Sequence, residues 1–324
     1  MMHQPDIEKI LRKDKRSVAR AITYIESGYD GSIEILEQLH KFTGRAYKVG
    51  ITGPPGAGKS TLTLQLVKWF RKQGSTVAVI AVDPTSPFTG GALLGDRVRM
   101  TEVSNLDGVF IRSMATRGSL GGLSGKTVDA SDILDAAGYD IIIYETVGVG
   151  QSELDIAKAA DTTIVVLVPE SGDTVQAMKA GLMEIADFYV LNKGDRPGAE
   201  QAVASIKTML QFREHDEHTW WPAVVKTSAH ENKGIDEVGE EILRHKDHLE
   251  TTGKLETRRK EREKNRLEEI VESAILGELW GSGGNELLHG SISGVIEKEI
   301  SPHQLAKQII ERYKEHLRNV KCEM

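Results

Sequence analysis

The spacing of apolar residues changes twice along the chain and divides it into three parts. In residues 1–45 apolar side chains recur every three or four positions, as Val18 and Ile22 do, which is the period of a helix with one buried face. From 46 to 245 short apolar runs alternate with such helical stretches, and from 246 to 324 helical spacing returns. We therefore predict a helical N-terminal extension, a central domain of mixed structure and a helical C-terminal extension.

The apolar runs of the central domain have the length of strands. They cover residues 47–52, 76–82, 108–112, 141–145, 163–169, 188–192 and 223–227, and helical stretches between them include 60–73, 128–137 and 174–185. Alternation of this kind predicts an α/β fold with a mostly parallel central sheet flanked by helices. In such a sheet, ligands bind beyond the carboxyl ends of the strands.

The C-terminal part begins with a strongly charged stretch, residues 246–270. A solvated helix with intrahelical ion pairs is a better interpretation of this stretch than an arm that binds nucleic acid. Residues 281–284 predict a loop, and the pair Ser301-Pro302 predicts the start of a last helix, with serine as the cap. Four apolar residues at helical spacing can either cover the core or form a subunit contact; they are Leu267, Ile270, Val271 and Ile275.

The composition is typical of a globular protein, with 39% apolar and 27% charged residues among 324. The net charge of −7 argues against a general nucleic-acid binder. The single cysteine, Cys322, excludes an internal disulfide, the first residues lack the apolar core of a signal peptide, and the longest apolar runs are strand-sized. We expect a cytoplasmic protein that binds neither membranes nor nucleic acid.

A phosphate-binding loop follows the first strand of the central domain. It matches the pattern G-x-x-x-x-G-K-[ST] and consists of Gly53, Pro54, Pro55, Gly56, Ala57, Gly58, Lys59 and Ser60. Its glycines allow backbone N–H groups to face phosphate oxygens, and the following helix adds its positive end. We expect Lys59 to reach the outer phosphates and Ser60 to bind Mg²⁺, a role that Thr61 can share. The pattern predicts a P-loop NTPase.

Two carboxylates end strands in the same domain. Asp83 follows the run Val79 to Val82, and Glu145 follows 141–144 in a Walker-B pattern, with glutamate where aspartate is usual. Either can hold Mg²⁺ through water or orient the attacking water. The competing interpretations are a turn residue before Pro84 and a strand end before a glycine turn. Gly148 can donate its N–H to the outer phosphate.

Further charged candidates lie in residues 95–100. Asp96 either joins the magnesium shell or pairs with a neighbouring arginine. Arg97 and Arg99 can supply positive charge to the transition state, as an arginine finger does, although surface salt bridges are the commoner use of such residues.

The base-binding signature N-K-x-D follows the sixth predicted strand, with Asn192, Lys193 and Asp195 in its defined positions. The aspartate can accept hydrogen bonds from guanine N1–H and the 2-amino group, whereas adenine would leave this carboxylate unpaired. One strand later, Thr227, Ser228 and Ala229 resemble the second guanine loop, in which a backbone N–H meets the base oxygen. The two motifs together predict GTP rather than ATP.

Three longer strings resemble those of the MeaB/ArgK GTPases. Residues 82–100 read VDPTSPFTGGALLGDRVRM, residues 112–124 read RSMATRGSLGGLS, and residues 145–153 read ETVGVGQSE. The resemblance runs from about residue 17 to the end. It implies a metallochaperone that accompanies adenosylcobalamin-dependent acyl-CoA mutases, most often methylmalonyl-CoA mutase, and that gates cobalamin transfer and protects or reactivates the mutase. It also implies slow hydrolysis that the mutase accelerates, and homodimers built with the C-terminal helices.

The same resemblance assigns roles by position. Lys59 and Ser60 take the phosphate roles, and Asn192, Lys193 and Asp195 the guanine roles. The acidic positions near magnesium fall on Asp83, Asp96 and Glu145. An extra switch loop that signals to the mutase falls on residues 171–179, with Asp173 and Lys179 at its charged positions, whereas Ala180 departs from the lysine expected there. From the residues alone, Asp173 is a helix cap.

Two other functions compete with this one. A kinase acting on a small molecule or protein would need an acceptor site, which the sequence does not reveal. A metal-delivery GTPase for nickel enzymes would need clustered histidine or cysteine near the switches, but the ten histidines are dispersed and Cys322 is close to the end.

Overall fold

The computed structural model describes residues 4–83, 103–115, 125–146, 152–169, 181–212 and 219–323. Seven strands form one sheet in the order β3-β2-β4-β1-β5-β6-β7, and every neighbouring pair is parallel. The strands are β1 Tyr47–Thr52, β2 Val77–Asp83, β3 Val109–Ala115, β4 Ile141–Thr146, β5 Thr162–Leu167, β6 Phe188–Leu191 and β7 Val224–Lys226. The predicted parallel α/β fold is confirmed.

The described helices are numbered in chain order. They are α1 Ile7–Leu11, α2 Lys15–Glu26, α3 Ser32–His40, α4 Lys59–Lys72, α5 Gly125–Ala136, α6 Ser152–Ala159, α7 Leu182–Ile185, α8 Ala199–Leu210, α9 Ile235–Thr251, α10 Lys254–Leu279, α11 Asn285–Ile296 and α12 Pro302–Glu323. Among the residues described, no helix combines the length and apolar character needed to span a bilayer.

The sheet is buried on both faces, which is usual for parallel strands. Side chains alternate between the faces, so that Val77 and Val79 of β2 pack in one apolar cluster and Ala78 and Ile80 in another. Helices α4 and α9 supply the first cluster, whereas α5 and the N-terminal helices supply the second. Residues from β5, β6 and α8 form a third.

The N-terminal helices share the second cluster with the sheet. Val18, Ile22 and Ile35 are buried there together with residues of β2, β4 and α5. The buried carboxylate of Asp135 in α5 accepts hydrogen bonds from three successive backbone N–H groups, those of residues 44–46, at 2.7 to 3.1 Å. Helices α1 to α3 therefore pack with α5 on one side of the sheet.

The chain divides into two compact units, Met1–Glu256 and Thr257–Met324. In the second, Gly283 has a φ of 92° and ends the helical path between α10 and α11, where the sequence predicted a loop. Ser301 caps α12 as predicted: its hydroxyl accepts from Gln304 N–H at 3.2 Å and its own N–H donates to Gln304 Oε1 at 2.9 Å. The apolar residues of α10 at 267, 270, 271 and 275 are exposed and do not cover a core.

Candidate nucleotide-binding site

The phosphate loop joins β1, in the middle of the sheet, to α4. The chain runs from β1 to β2 on one side of β1 and later from β4 to β5 on the other, so that the loop lies at the point where ligands bind in open parallel sheets. Gly53 has a φ of 136°, and a Cβ there would lie 2.2 Å from the carbonyl oxygen of Val166. Only glycine fits at this position without a shift of the backbone.

Lys59 begins helix α4 and is folded back over the loop. Its ammonium group donates hydrogen bonds to the carbonyl oxygens of Gly53, at 2.7 Å, and Pro54, at 3.1 Å. The residue is 6% exposed. A buried positive charge and the N-terminus of a 14-residue helix thus face the same small volume, which favours an anion there. Thr61 follows in the first turn of α4.

The Ser60 hydroxyl donates a hydrogen bond to Oε1 of Glu145. Glu145 is fully buried in β4, opposite Ile51 of β1 in the sheet register. Two of the side chains that the sequence assigned to a magnesium site therefore lie together beside the phosphate loop. Hydroxyl and carboxylate oxygens are the ligand types that Mg²⁺ prefers, so the donor atoms fit the ion.

Asn192 connects the phosphate loop with both predicted guanine loops. Its Nδ2 donates to the carbonyl oxygen of Ala57 at 2.8 Å. Its Oδ1 accepts from Thr227 Oγ1 and from Ala229 N–H, both at 3.1 Å. The side chain uses both ends of its amide and is 3% exposed. The approach is so close that a Cβ on Gly58 would lie 2.3 Å from Asn192 Nδ2.

Asp195 lies on the surface beside the second guanine loop. The Ser228 hydroxyl donates to Asp195 Oδ1 at 2.9 Å. This hydrogen bond, followed by one from the backbone N–H of Asp195 and by the positive charges of His230 and Lys233, lowers the pKa of the Asp195 carboxyl below its ordinary value. The shift favours the ionised form of this carboxyl, in which both oxygens can accept hydrogen bonds.

The backbone of the N-K-x-D segment has an uncommon shape. Lys193 has a φ of 56°, in the left-handed region. Gly194 N–H then donates to the carbonyl oxygen of Thr227 at 2.7 Å. A Cβ on Gly194 would lie 2.6 Å from Cγ of Lys226, whose ammonium pairs with Glu200 of α8. The sequence did not single out Lys226, because no motif marks the residue beneath this loop.

Several predicted residues fall outside the described part of the chain. These are Asp96, Arg99, Gly148, Asp173 and Lys179. Asp83 is the last residue of β2 and pairs with Ala115, but its side chain is not among those described. Their roles remain predictions.

Known proteins resemble this chain over most of its length. The family model described as "Methylmalonyl Co-A mutase-associated GTPase MeaB" matches residues 18–283. A Pyrococcus abyssi protein named "Putative GTPase" is 49% identical over 306 residues, which are 94% of each chain. GTPase ArgK of Escherichia coli is 34% identical over 316 residues, covering 94% of this chain and 95% of ArgK.

A solved structure confirms the fold over most of the chain. The crystal structure of LAO/AO transport system kinase superposes with a TM-score of 0.72 at 28% identity and covers 94% of this chain and 95% of that one. With a phosphate loop, a guanine signature and a match over most of its length, the chain belongs to the MeaB family of GTPases.

Proposed function

We propose that this GTPase is a chaperone of an adenosylcobalamin-dependent acyl-CoA mutase, and that methylmalonyl-CoA mutase is the partner. In this role it gates cobalamin loading and protects or reactivates the mutase. The observation that supports nucleotide binding is that the Asn192 side chain forms hydrogen bonds with both loops. It bonds to Ala57 of the phosphate loop and to Ala229 of the second predicted guanine loop. The partner is proposed from the description of the family that the chain matches.

GTP binds with its phosphates in the loop of residues 53–60 and its base at Asp195. The phosphate oxygens accept from backbone N–H groups, and Lys59 exchanges its carbonyl partners for the outer phosphates. The Asp195 carboxylate accepts from N1–H and the 2-amino group, the stem of Lys193 covers the base, and the base oxygen shares Ala229 N–H with Asn192. Adenine offers no matching donor pair, which excludes ATP.

Hydrolysis transfers the outer phosphoryl group to water. A water oxygen attacks the phosphorus, the bond to the bridging oxygen breaks, and GDP is the leaving group. Ser60 and Glu145, together with Asp83 and Asp96, would hold Mg²⁺, which would supply positive charge beside the phosphates. One of the three acids orients the water, Gly148 N–H contacts the outer phosphate, and Arg99 adds positive charge in the transition state.

The C-terminal unit is proposed as the homodimer contact. Leu267, Ile270, Val271 and Ile275 lie on α10 at helical spacing and are 47% to 62% exposed. Burial of such a face is worth about 25 cal/mol per Å² of apolar surface removed from water. The switch that reports the nucleotide state to the mutase is proposed at Asp173 and Lys179.

The partner can be tested with purified proteins. The full chain is mixed with methylmalonyl-CoA mutase in GDP or in a non-hydrolysable GTP analogue, and complex formation is followed by size-exclusion chromatography. We expect a complex whose amount depends on the nucleotide, and a GTPase rate that rises when mutase is added. Absence of a complex in both nucleotides, with no change in rate, would remove this mutase from the proposal.

A kinase is the second candidate, because the superposed crystal structure carries that name. GTP labelled at the outer phosphate distinguishes the two reactions in a lysate of the native host. We expect the label to appear as free phosphate. Label on a protein or small-molecule acceptor, lost when Lys59 is replaced by alanine, would support the kinase instead.

A further inference from the structure

Helix α4 contacts the second guanine loop through Gln65, a residue that belongs to none of the motifs above. Gln65 Nε2 donates a hydrogen bond to the carbonyl oxygen of Ala229 at 3.3 Å. The two residues are 164 positions apart in the chain. Gln65 lies on the same helix as Lys59 and Ser60, which begin α4 at the phosphate loop.

The peptide groups of Ala229 are therefore held from two sides. Its N–H donates to Asn192 Oδ1 at 3.1 Å, and its carbonyl oxygen accepts from Gln65. Ala229 itself is 1% exposed. The N–H proposed to meet the guanine oxygen thus has its position fixed by one residue after β6 and one residue of α4.

The two ends of this loop, Ser228 and Lys233, are bonded to each other. Ser228 N–H donates to the carbonyl oxygen of Lys233 at 3.0 Å, and Lys233 N–H donates back to Ser228 at 3.3 Å. Ser228 also holds Asp195 through its hydroxyl. A shift of Ala229 would therefore displace the Ser228 hydroxyl and, with it, the carboxylate that reads the base.

Side chains leave an unfilled space beside Gln65. A cavity of about 130 Å³ separates part of α4 from the loop and the start of α9, and it is lined by Gln65, Lys68, Trp69, Lys72, Asn232, Ile235 and Asp236. Because side chains do not fill this region, packing alone does not fix the loop against α4 there. The hydrogen bond from Gln65 to Ala229 supplies that connection.

We infer that Gln65 is a positioning residue for the guanine base, which it serves by holding the Ala229 peptide from helix α4. This inference rests on the proposed guanine site. It means that the helix that binds the phosphates also sets the position of the groups that read the base.

The test uses the full chain with Gln65 replaced by leucine, which keeps the size and removes the donor. Gln73→Leu is the matched control, since Gln73 is the exposed C-cap of the same helix. We expect Gln65→Leu to raise KM for GTP and Kd for a fluorescent GDP analogue about three- to tenfold, with kcat unchanged. Gln65→Lys, which retains a donor, should restore most of the affinity, and Gln73→Leu should match the wild type.

Asp195→Asn is measured in parallel to separate the two proposals. If it weakens GTP binding while Gln65→Leu behaves as the wild type, the role of Gln65 is overturned and the guanine site stands. If neither variant changes the affinity, the guanine site itself is misassigned. A fall in kcat and thermal midpoint for Gln65→Leu, without rescue by lysine, would show a structural role and also overturn the inference.

Discussion

The two compact units of the chain differ in where their apolar side chains lie. In Met1–Glu256 the sheet and its helices bury large side chains completely, including Ile143 of β4 and Leu62 of α4. In Thr257–Met324, helices α10 and α11 bury no apolar side chain among their described residues. A buried core can hold polar groups at fixed distances, as a nucleotide site requires, whereas an exposed apolar face suits contact with another chain.

The largest effect is expected at the phosphate loop of the first unit. Lys59→Ala should lower kcat for GTP by at least about a hundredfold, because the outer phosphates lose a preorganised positive charge. Lys72→Ala, at the exposed end of the same helix, is the control and should retain the wild-type rate. Circular dichroism should show both variants folded. Unchanged hydrolysis in Lys59→Ala would mean that the phosphate loop is misassigned.

Replacing isoleucine by alanine should lower the stability much more in the buried core of the first unit than on the exposed face of the second. Ile143→Ala should lower the free energy of unfolding by about 2–5 kcal/mol, since the side chain is fully buried. Ile270→Ala, where the side chain is 55% exposed, should change it by about 0.5 kcal/mol or less at protein concentrations low enough to prevent association. Urea unfolding measures both.

Sedimentation at high concentration then tests the contact surface. Ile270→Ala should weaken self-association, whereas the wild type should dimerise. Equal losses of stability for the two alanine variants would contradict the contrast between the units.

Replacing glycine by alanine should change the stability in opposite directions at two helical positions. A Cβ on Gly239 of α9 would lie 2.5 Å from the ring of Trp69, whereas nothing lies within 4 Å of the corresponding position at Gly277 in α10. Gly239→Ala should therefore lower the free energy of unfolding by about 1–3 kcal/mol, because the added methyl group overpacks the contact with Trp69. Gly277→Ala should raise the free energy of unfolding by about 0.5–1 kcal/mol, because alanine has the higher helix propensity. Thermal unfolding measures the shifts, and a gain at Gly239 would contradict the close packing of α4 and α9.

A smaller effect concerns pH. The hydrogen bond from Ser228 is the largest cause that lowers the pKa of Asp195. A lowered pKa keeps the carboxylate ionised as the pH falls, and base recognition is lost only when the pH passes below it. Ser228→Ala should raise this pKa toward its ordinary value, so GTP affinity should begin to fall at a higher pH than in the wild type. Titration of a fluorescent nucleotide from about pH 6 down to about pH 3, the range that includes the ordinary aspartate pKa, checks the direction. Superimposable pH profiles would contradict the role of Ser228.

The sequence predicted the parts of this structure that depend on local patterns. The alternation of strands and helices, the phosphate loop after β1 and the cap at Ser301 are each encoded within a few neighbouring residues. Strand β3 is longer than its predicted 108–112, because its backbone pairs with β2 along the whole of Val77–Asp83. That pairing is a property of the neighbouring strand, and the β3 sequence alone does not contain it.

Contacts between distant residues escaped prediction. The bond from Gln65 to Ala229 joins α4 to a loop far along the chain. The sharing of one apolar cluster by α2 and the sheet likewise depends on tertiary packing. The proximity of Ser60 to Glu145 was anticipated through the motif, which carries information on three-dimensional arrangement that spacing alone lacks.

If Asp195 recognises guanine, replacing its carboxylate by an amide should change which base the protein prefers. Xanthine carries a carbonyl oxygen where guanine carries the 2-amino group, so an amide in place of the carboxylate should prefer it. Affinities for GTP, XTP and ATP are measured by calorimetry for the wild type and for Asp195→Asn. We expect the variant to lose GTP affinity by at least about tenfold and to gain affinity for XTP. Unchanged binding of GTP by Asp195→Asn, with ATP still excluded, would contradict the assignment of guanine recognition to Asp195.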